Sequence, residues 1–218
     1  MITVDGPAGV GKSTVSKELA KKMSYIYLDT GALYRAIAYK IRQCGVSLDD
    51  EKRLAELCGN ADISLEMIHD DMKVFVDKED ITDKIRTEEI GLLASKVSAL
   101  PIVRKALLPI QREAGKKGGI VAEGRDMGTV VFHDADIKFF LSADVNERTQ
   151  RRLNQLLEKG MSSDAGDIQK GLEKRDCQDS ERSISPLRPA IDAIIIDTTG
   201  IGIDGVVEEM MTPISKIL

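Results

Sequence analysis

The run Gly6-Pro7-Ala8-Gly9-Val10-Gly11-Lys12-Ser13 fits the spacing GxxxxGK[ST] and stands between a short apolar stretch, Ile2–Asp5, and a helix-patterned one, Lys12–Met23. The glycines let the backbone curl until its N–H groups turn inward as an anion nest. The helix that follows adds its positive end. In such a loop the lysine, Lys12, reaches the β- and γ-phosphates, and Ser13, or Thr14 beside it, offers Mg²⁺ a hydroxyl oxygen. A plain turn from strand to helix has no need of Lys-Ser at that offset. Gly6, Pro7, Ala8, Gly9, Val10, Gly11, Lys12, Ser13 and Thr14 are therefore the expected nucleotide-phosphate cradle.

The rest of the chain alternates in a way that suits this loop. Short buried-strand patterns at 2–5, 25–28, 120–122, 137–141 and 193–196 are separated by helical patterns at Gly31–Cys44, Glu88–Ala99, Ile102–Ala114, Val145–Glu158, Asp167–Cys177 and 204–211. Thr30 is the expected N-cap of the second helix, and Thr87-Glu88-Glu89 the start of a later one. This alternation predicts an α/β protein with a five-stranded parallel sheet flanked by helices. Between the second and third strands the period changes. After a short helix at Glu51–Cys58, Ile63, Leu65 and Met67 alternate, as do Val74 and Val76, with His69-Asp70-Asp71 between them, which predicts a small β-containing insert built on a hairpin.

Charge follows the same division. Lys plus Arg is 31 and Asp plus Glu is 36, a net of −5, yet residues 46–90 alone hold 14 acidic and 6 basic residues. The scaffold is thus mildly basic and the insert region acidic, which excludes a wholly basic nucleic-acid coat. No apolar run approaches the ~18 residues of a membrane span, and the first residues read as a strand instead of a leader. Cys44, Cys58 and Cys177 are odd in number and far apart, so three free thiols in a reducing cytoplasm are expected. His69 is expected to be solvated, and neither it nor His133 has the spacing of a metal site or an activated nucleophile.

Open α/β sheets bind ligands outside the carboxyl ends of their strands. Asp5, Asp29 and Arg125-Asp126 all lie just beyond such ends and are expected to converge near the P-loop. Farther on, Arg148, Arg151 and Arg152 share one helix face, and Arg175, Asp179 and Arg182 share another. The Gly- and Ser-containing stretch Lys159–Asp167 joins the two. Either arm alone fits a solvated face with an intrahelical pair such as Glu147–Arg151. Downstream of a P-loop, two arginine-bearing arms and a mobile tip read as a lid, because the arginine fork suits phosphate. A guanine-reading Asn-Lys-x-Asp is absent.

Asp29-Thr30-Gly31-Ala32-Leu33-Tyr34-Arg35, Gly124-Arg125-Asp126-Met127-Gly128-Thr129 and Lys174-Arg175-Asp176 with Asp179 and Arg182, all behind the P-loop, resemble the bacterial cytidylate kinases over essentially the whole chain. The resemblance implies transfer of the γ-phosphoryl group of ATP, with Mg²⁺, to CMP or dCMP. It implies that Thr30, Tyr34 and Arg35 line the monophosphate site and that Arg35 and Arg125 grip the CMP phosphate. Arg104, Asp179 and Arg182 would read the cytosine and ribose side, and Asp126 with Asp179 the sugar hydroxyls. Lys12, Arg148, Arg152 and Arg175 would surround the transferring phosphoryl. The implied organisation is a core at about 1–30, 101–147 and 183–218, a monophosphate-binding region with the insert at about 31–100, and a lid at about 148–182. A cytoplasmic monomer that uses small nucleotides, with no nucleic-acid or membrane partner and no fused second domain, is expected. The P-loop departs mildly from some relatives, which have Lys-Gly-Thr where this chain has Lys-Ser-Thr. Other small-molecule acceptors, and a nucleotide-sensing module without turnover, stay open at this stage.

The residue types suit the chemistry. Phosphoryl transfer passes through a loose transition state with charge on the equatorial oxygens, so positioning and charge neutralisation dominate. A nucleoside monophosphate is already an anion near neutral pH, and no His, Cys or Ser nucleophile is needed. Cytosine asks for an acceptor at its amino group and donors at O2 and N3, which Arg, Asp or a hydroxyl can supply.

Overall fold

The structure, a computed structural model, describes residues 1–68, 71–158 and 160–217. The expectation for His69 falls outside these. In chain order the elements are β1 (Ile2–Asp5), α1 (Lys12–Met23), β2 (Ile26–Asp29), α2 (Thr30–Gln43), α3 (Glu51–Asn60), β3 (Ile63–Ile68), β4 (Asp71–Val76), β5 (Glu79–Asp80), α4 (Glu88–Val97), α5 (Pro101–Gly115), β6 (Ile120–Gly124), β7 (Ile137–Ser142), α6 (Val145–Glu158), α7 (Ala165–Glu181), β8 (Ile194–Asp197) and α8 (Ile203–Ile217). A 3₁₀ turn covers Lys84–Arg86, and a five-residue π-helical turn covers Met127–Val131. The chain forms two compact units, Met1–Tyr27 with Gly119–Leu218, and Leu28–Gly118.

The five-stranded parallel sheet has the order β2-β6-β1-β7-β8. β1 lies at its centre, paired in parallel with β6 (Thr3 opposite Ala122) and with β7 (Val4 opposite Phe139). A central parallel strand is covered on both faces, which is why Ile2-Thr3-Val4-Asp5 has all four residues buried instead of alternating. Helices α1 and α8 supply Val15, Leu19, Ala20, Val206, Val207, Met210 and Ile214 to the same core as Phe139 and Leu141. The five strands fall where the sequence predicts, with β2 and β8 displaced by one residue. The last helix is longer than expected: α8 carries Pro213 inside it and still runs to Ile217.

In the second unit, α2 presents Leu33, Ile37 and Ile41 to a core shared with Leu54 of α3, Val74 and Val76 of β4, and Ile90 and Val97 of α4. β3 and β4 form the predicted antiparallel hairpin, Ile63 opposite Val76. A two-residue third strand, β5, adds to it and was not expected, being too short for any alternation to register. Two corrections belong here. Thr30 is the first helical residue of α2 and not its cap. The cap is Asp29, whose Oδ1 accepts from the Ala32 N–H at 3.1 Å, as an aspartate at a strand end readily does. The stretch from 101, expected in the core, instead packs as α5 within this unit, because Val103 and Leu107 are buried in its apolar cluster.

Candidate active site

The P-loop runs from the end of β1 into α1, and glycine is required at its first position. Gly6 has φ +150°, and a Cβ there would stand 2.3 Å from the carbonyl oxygen of Leu141. Gly9 is left-handed, with φ +75°, and lies against Arg148 and Leu172. Gly11 caps α1 without a side-chain hydrogen bond, which leaves the helix start suited to an anion. Lys12 is buried and its Nζ donates to the Pro7 carbonyl at 2.6 Å. Burial, and then the nearby Arg125 cation, pull the lysine down to about 7. A lysine poised this way gains from a phosphate, which would restore the charged form.

Ser13 Oγ donates to Glu123 Oε1 at 2.7 Å, and the Tyr27 hydroxyl donates to the same oxygen at 2.7 Å. The carboxylate at the end of β6 thus aims the serine hydroxyl. These are hard oxygen donors, which fit Mg²⁺. Among the described residues no group of three or more His, Cys, Asp or Glu is arranged to hold a metal. A site of water, phosphate and one hydroxyl needs none.

The loop after β6 carries Arg125 and Asp126. Asp5 accepts from the Met127 and Gly128 amides at 2.9 and 2.8 Å, so Asp5 and the loop of Asp126 meet as expected. Arg125 Nε donates to Asp179 Oδ2 at 2.8 Å. Burial opposes the Arg125 charge, but the Asp179, Asp176 and Glu123 carboxylates outweigh it and hold the guanidinium above its usual range. Arg182 stands 3.8 Å from Asp126 and 3.9 Å from Asp179. The sequence-predicted Arg125, Asp126, Asp179 and Arg182 therefore form one ionic network.

Helices α6 and α7 pack together and close over the loop. Ile168 and Leu172 cluster with Ala8, backed by Leu153 and Leu156. Arg148 is buried, donating to the Ala8 carbonyl at 3.0 Å and to Ala143 at 3.1 Å and pairing with Asp176. Arg151 keeps its expected pair with Glu147 at 3.0 Å and also donates to Val10 and Thr198. Arg152 Nη1 reaches Gln155 Oε1 at 3.5 Å, and Arg175 is half-buried on α7. α7 is longer than predicted. Asp179 is still helical and Arg182 is its C-cap, so the shared face persists to that point.

In the second unit Thr30 and Tyr34 are buried, and the Arg104 guanidinium lies 5.5 Å from the Tyr34 ring while donating to the Ser98 carbonyl at 3.0 Å. Arg35 Nη1 donates to the Ile85 carbonyl at 3.4 Å. Asp29, besides capping α2, pairs with Arg86 at 2.9 Å. The Ser95 hydroxyl is buried with no hydrogen-bond partner among the described residues.

Sequence reasoning assigned no task to Asp176 or Ser95 and none to Glu123 beyond ending a strand. Asp176 accepts from the Ala8 amide at 3.1 Å, across 168 positions of chain. No local pattern signals such a bond.

Lys12, Ser13, Arg148 and Arg151 thus all bond on or around one P-loop. The family described as Cytidylate kinase matches residues 2–216. The chain belongs to the cytidylate kinase family. It is 46% identical over 216 residues to a protein named cytidylate kinase from Syntrophotalea carbinolica, covering 99% of this chain and 92% of that one. It is 49% identical over 208 residues to the cytidylate kinase of Streptococcus mutans, covering 94% and 92%. Among solved structures, a gluconokinase from Sinorhizobium meliloti is similar at TM-score 0.50 and 12% identity, covering 99% of this chain and 91% of that one. A protein from Eubacterium ventriosum gives 0.51 and 14%, covering 99% and 97%. At these identities the solved structures speak for the fold alone. As a member of the cytidylate kinase family the chain is a kinase, an enzyme that transfers phosphate.

Proposed function

We propose that this kinase transfers the γ-phosphoryl group of ATP to CMP or dCMP, giving ADP and CDP or dCDP. The observation that carries the reading is the Arg125–Asp126–Asp179–Arg182 network, in the same compact unit as a complete P-loop, within a chain of the cytidylate kinase family.

In this reading the amides of Gly6 to Thr14 cradle the ATP phosphates, and Lys12 leaves the Pro7 carbonyl to meet the β- and γ-phosphates. Arg125 holds the acceptor phosphate, and Asp126, Asp179 and Arg182 hold its sugar and base side. In the second unit Thr30, Tyr34, Arg35 and Arg104 recognise the acceptor, and the Ser95 hydroxyl is a further group able to meet a base edge. Rejection of other bases follows from unpaired polar groups, each worth about 1–3 kcal/mol. The Ser13 hydroxyl would hold Mg²⁺, which when bound would supply charge neutralisation to the phosphates. Arg148, Arg152 and Arg175 on the lid, about 148–182, stabilise charge on the transferring group and exclude water. Residues about 31–100 form the monophosphate-binding region. The enzyme works as a monomer on small nucleotides in the cytoplasm, and its three free cysteines support that compartment.

The test is a coupled ADP-release assay with Mg²⁺, ATP and each of CMP, dCMP, UMP, AMP, dTMP and shikimate. Turnover confined to CMP and dCMP is expected. Turnover with another acceptor alone, or ATP binding with no turnover at all, would overturn the reading.

A further inference from the structure

The loop that carries Arg125 and Asp126 is held by an acid at the end of the central strand. Asp5 is the last residue of the central strand, buried, and directly before the first P-loop glycine. Its two carboxylate oxygens accept from consecutive amides, Met127 at 2.9 Å and Gly128 at 2.8 Å. The loop is gripped from its other side too. A Cβ at Gly128 would stand 3.0 Å from the Thr3 hydroxyl and 3.2 Å from the Lys138 side chain, so the backbone there is pressed onto β1. Beyond it the chain turns sharply, the Asp126 carbonyl accepting from both Val130 and Val131.

We infer that Asp5 is a positioning residue for the acceptor site: by holding the Met127 and Gly128 amides, its ionised carboxylate sets where Arg125 and Asp126 stand. The inference rests on the reading of Arg125 and Asp126 as acceptor-binding residues.

The arrangement has a chemical signature. Two N–H donors require two acceptor oxygens, and a protonated carboxyl has a hydrogen on one of them. Burial raises Asp5 to about 6. The two amide bonds work against this, the neighbouring Asp126 charge adds to it, and the Lys12 cation opposes it. A raised carboxyl means that the folded chain gains stability as pH falls through about 6 toward 3.8, the usual aspartate value. Acid therefore steadies the fold while it frees one of the two loop amides. A residue kept only for stability has no such opposition.

The experiment compares the full chain with Asp5→Asn, which keeps the shape but turns an NH₂ group toward one of the amides. CMP and ATP binding are measured by calorimetry from about pH 5 to about pH 8, with thermal unfolding alongside. At about pH 7.5 the variant is expected to bind CMP about tenfold more weakly, to bind ATP within about twofold of the parent, and to unfold at no lower temperature. Below about pH 6 the parent loses CMP affinity more steeply than the variant, so the two converge. Equal CMP affinity, an identical acid limb in both proteins, or equal loss for both nucleotides with a lowered unfolding temperature would each overturn the proposal. If Asp5→Asn does not fold, the Met127 and Gly128 amide resonances of the parent are followed instead. They are expected to titrate near pH 6 in step with CMP affinity, and flat resonances would overturn the anchor. If the parent binds no CMP, the functional reading fails, and the amide titration still judges the anchor by itself.

Discussion

Asp176 and Arg148 take both backbone polar groups of a single P-loop residue: Asp176 Oδ1 accepts from the Ala8 amide at 3.1 Å, and Arg148 Nη1 donates to the Ala8 carbonyl at 3.0 Å. The two side chains also pair with each other, one from α7 and one from α6. Helices α6 and α7 are thus bolted to the P-loop by an ion pair, with Ala8, Ile168 and Leu172 packed beside it.

Asp176→Ala should accordingly damage the ATP side first. It removes the acceptor for the Ala8 amide and leaves the buried Arg148 charge with only carbonyl partners, at a cost of about 2–3 kcal/mol of stability. The KM for ATP is expected to rise about tenfold with little change for CMP. Asp176→Asn, whose carbonyl can still accept from Ala8, should recover part of the loss. Steady-state kinetics with each substrate varied in turn decides it, and a rise confined to CMP would contradict the clamp.

Lys12 supplies a prediction about protons. Burial lowers it to about 7, so above that pH the folded chain without nucleotide favours the neutral amine. For a group depressed in this direction, the stability it contributes is present at high pH and is lost as pH falls through about 7. A triphosphate bound at Lys12 would restore the charged form. Calorimetry in buffers of different ionisation heat should therefore show proton uptake on ATP binding between about pH 7 and pH 9. Lys12→Met should abolish both that uptake and phosphoryl transfer while leaving CMP affinity largely intact. Uptake that persists in the variant would place the titrating group elsewhere.

The parts of this molecule that could be read from sequence are those whose cause is local. The P-loop is contiguous, and its strand and helix were legible to the residue because Ile2–Asp5 is a short stretch bounded by the loop and Lys12–Met23 repeats at helical spacing. Arg125, Asp126, Asp179 and Arg182 were legible through motif context, and the structure unites them. What was missed depends on distant partners. The cap is a local exception: sequence admits either Asp29 or Thr30, and only the backbone geometry decides which side chain reaches the Ala32 amide. The placement of α5 turns on which apolar surface receives Leu107. Nothing beside Asp176 announces a bond to Ala8, and nothing beside Asp5 announces a loop more than a hundred residues away.

Tyr27 and Glu123 define how firmly the Ser13 hydroxyl is aimed. Both hydroxyls donate to one carboxylate oxygen at 2.7 Å, and Lys17 lies over the Tyr27 ring at 5.5 Å. Tyr27→Phe removes one neutral donor and should cost about 1 kcal/mol of stability, with kcat lowered less than about tenfold. Glu123→Ala leaves Ser13 and Tyr27 without their shared acceptor and should raise the Mg²⁺ concentration needed for half-maximal rate much further than Tyr27→Phe does. Titrating Mg²⁺ at saturating ATP and CMP checks this. An unchanged requirement in Glu123→Ala would remove the serine hydroxyl from the metal site.

Asp179 joins α7 to the loop that carries Arg125, and its removal should separate acceptor binding from donor binding. Its Oδ2 accepts from Arg125 Nε at 2.8 Å, its Oδ1 lies 3.9 Å from Arg182, and its own carbonyl accepts from the Leu187 amide at 2.8 Å. Truncation to alanine spares the backbone bond and strands two cations that burial already opposes. Losing a partner of such a pair costs about 3 kcal/mol, moderated here because Asp176 and Glu123 also favour the Arg125 charge and Asp126 still faces Arg182. Asp179→Ala should therefore fold, unfold at a lower temperature, and bind CMP at least about tenfold more weakly while ATP affinity changes little. Asp179→Asn, which keeps an acceptor for Arg125 but no charge, should fall between the two. Binding of each nucleotide measured alone by calorimetry is decisive, because equal losses for CMP and ATP would move Asp179 out of the acceptor site and into the general support of α7.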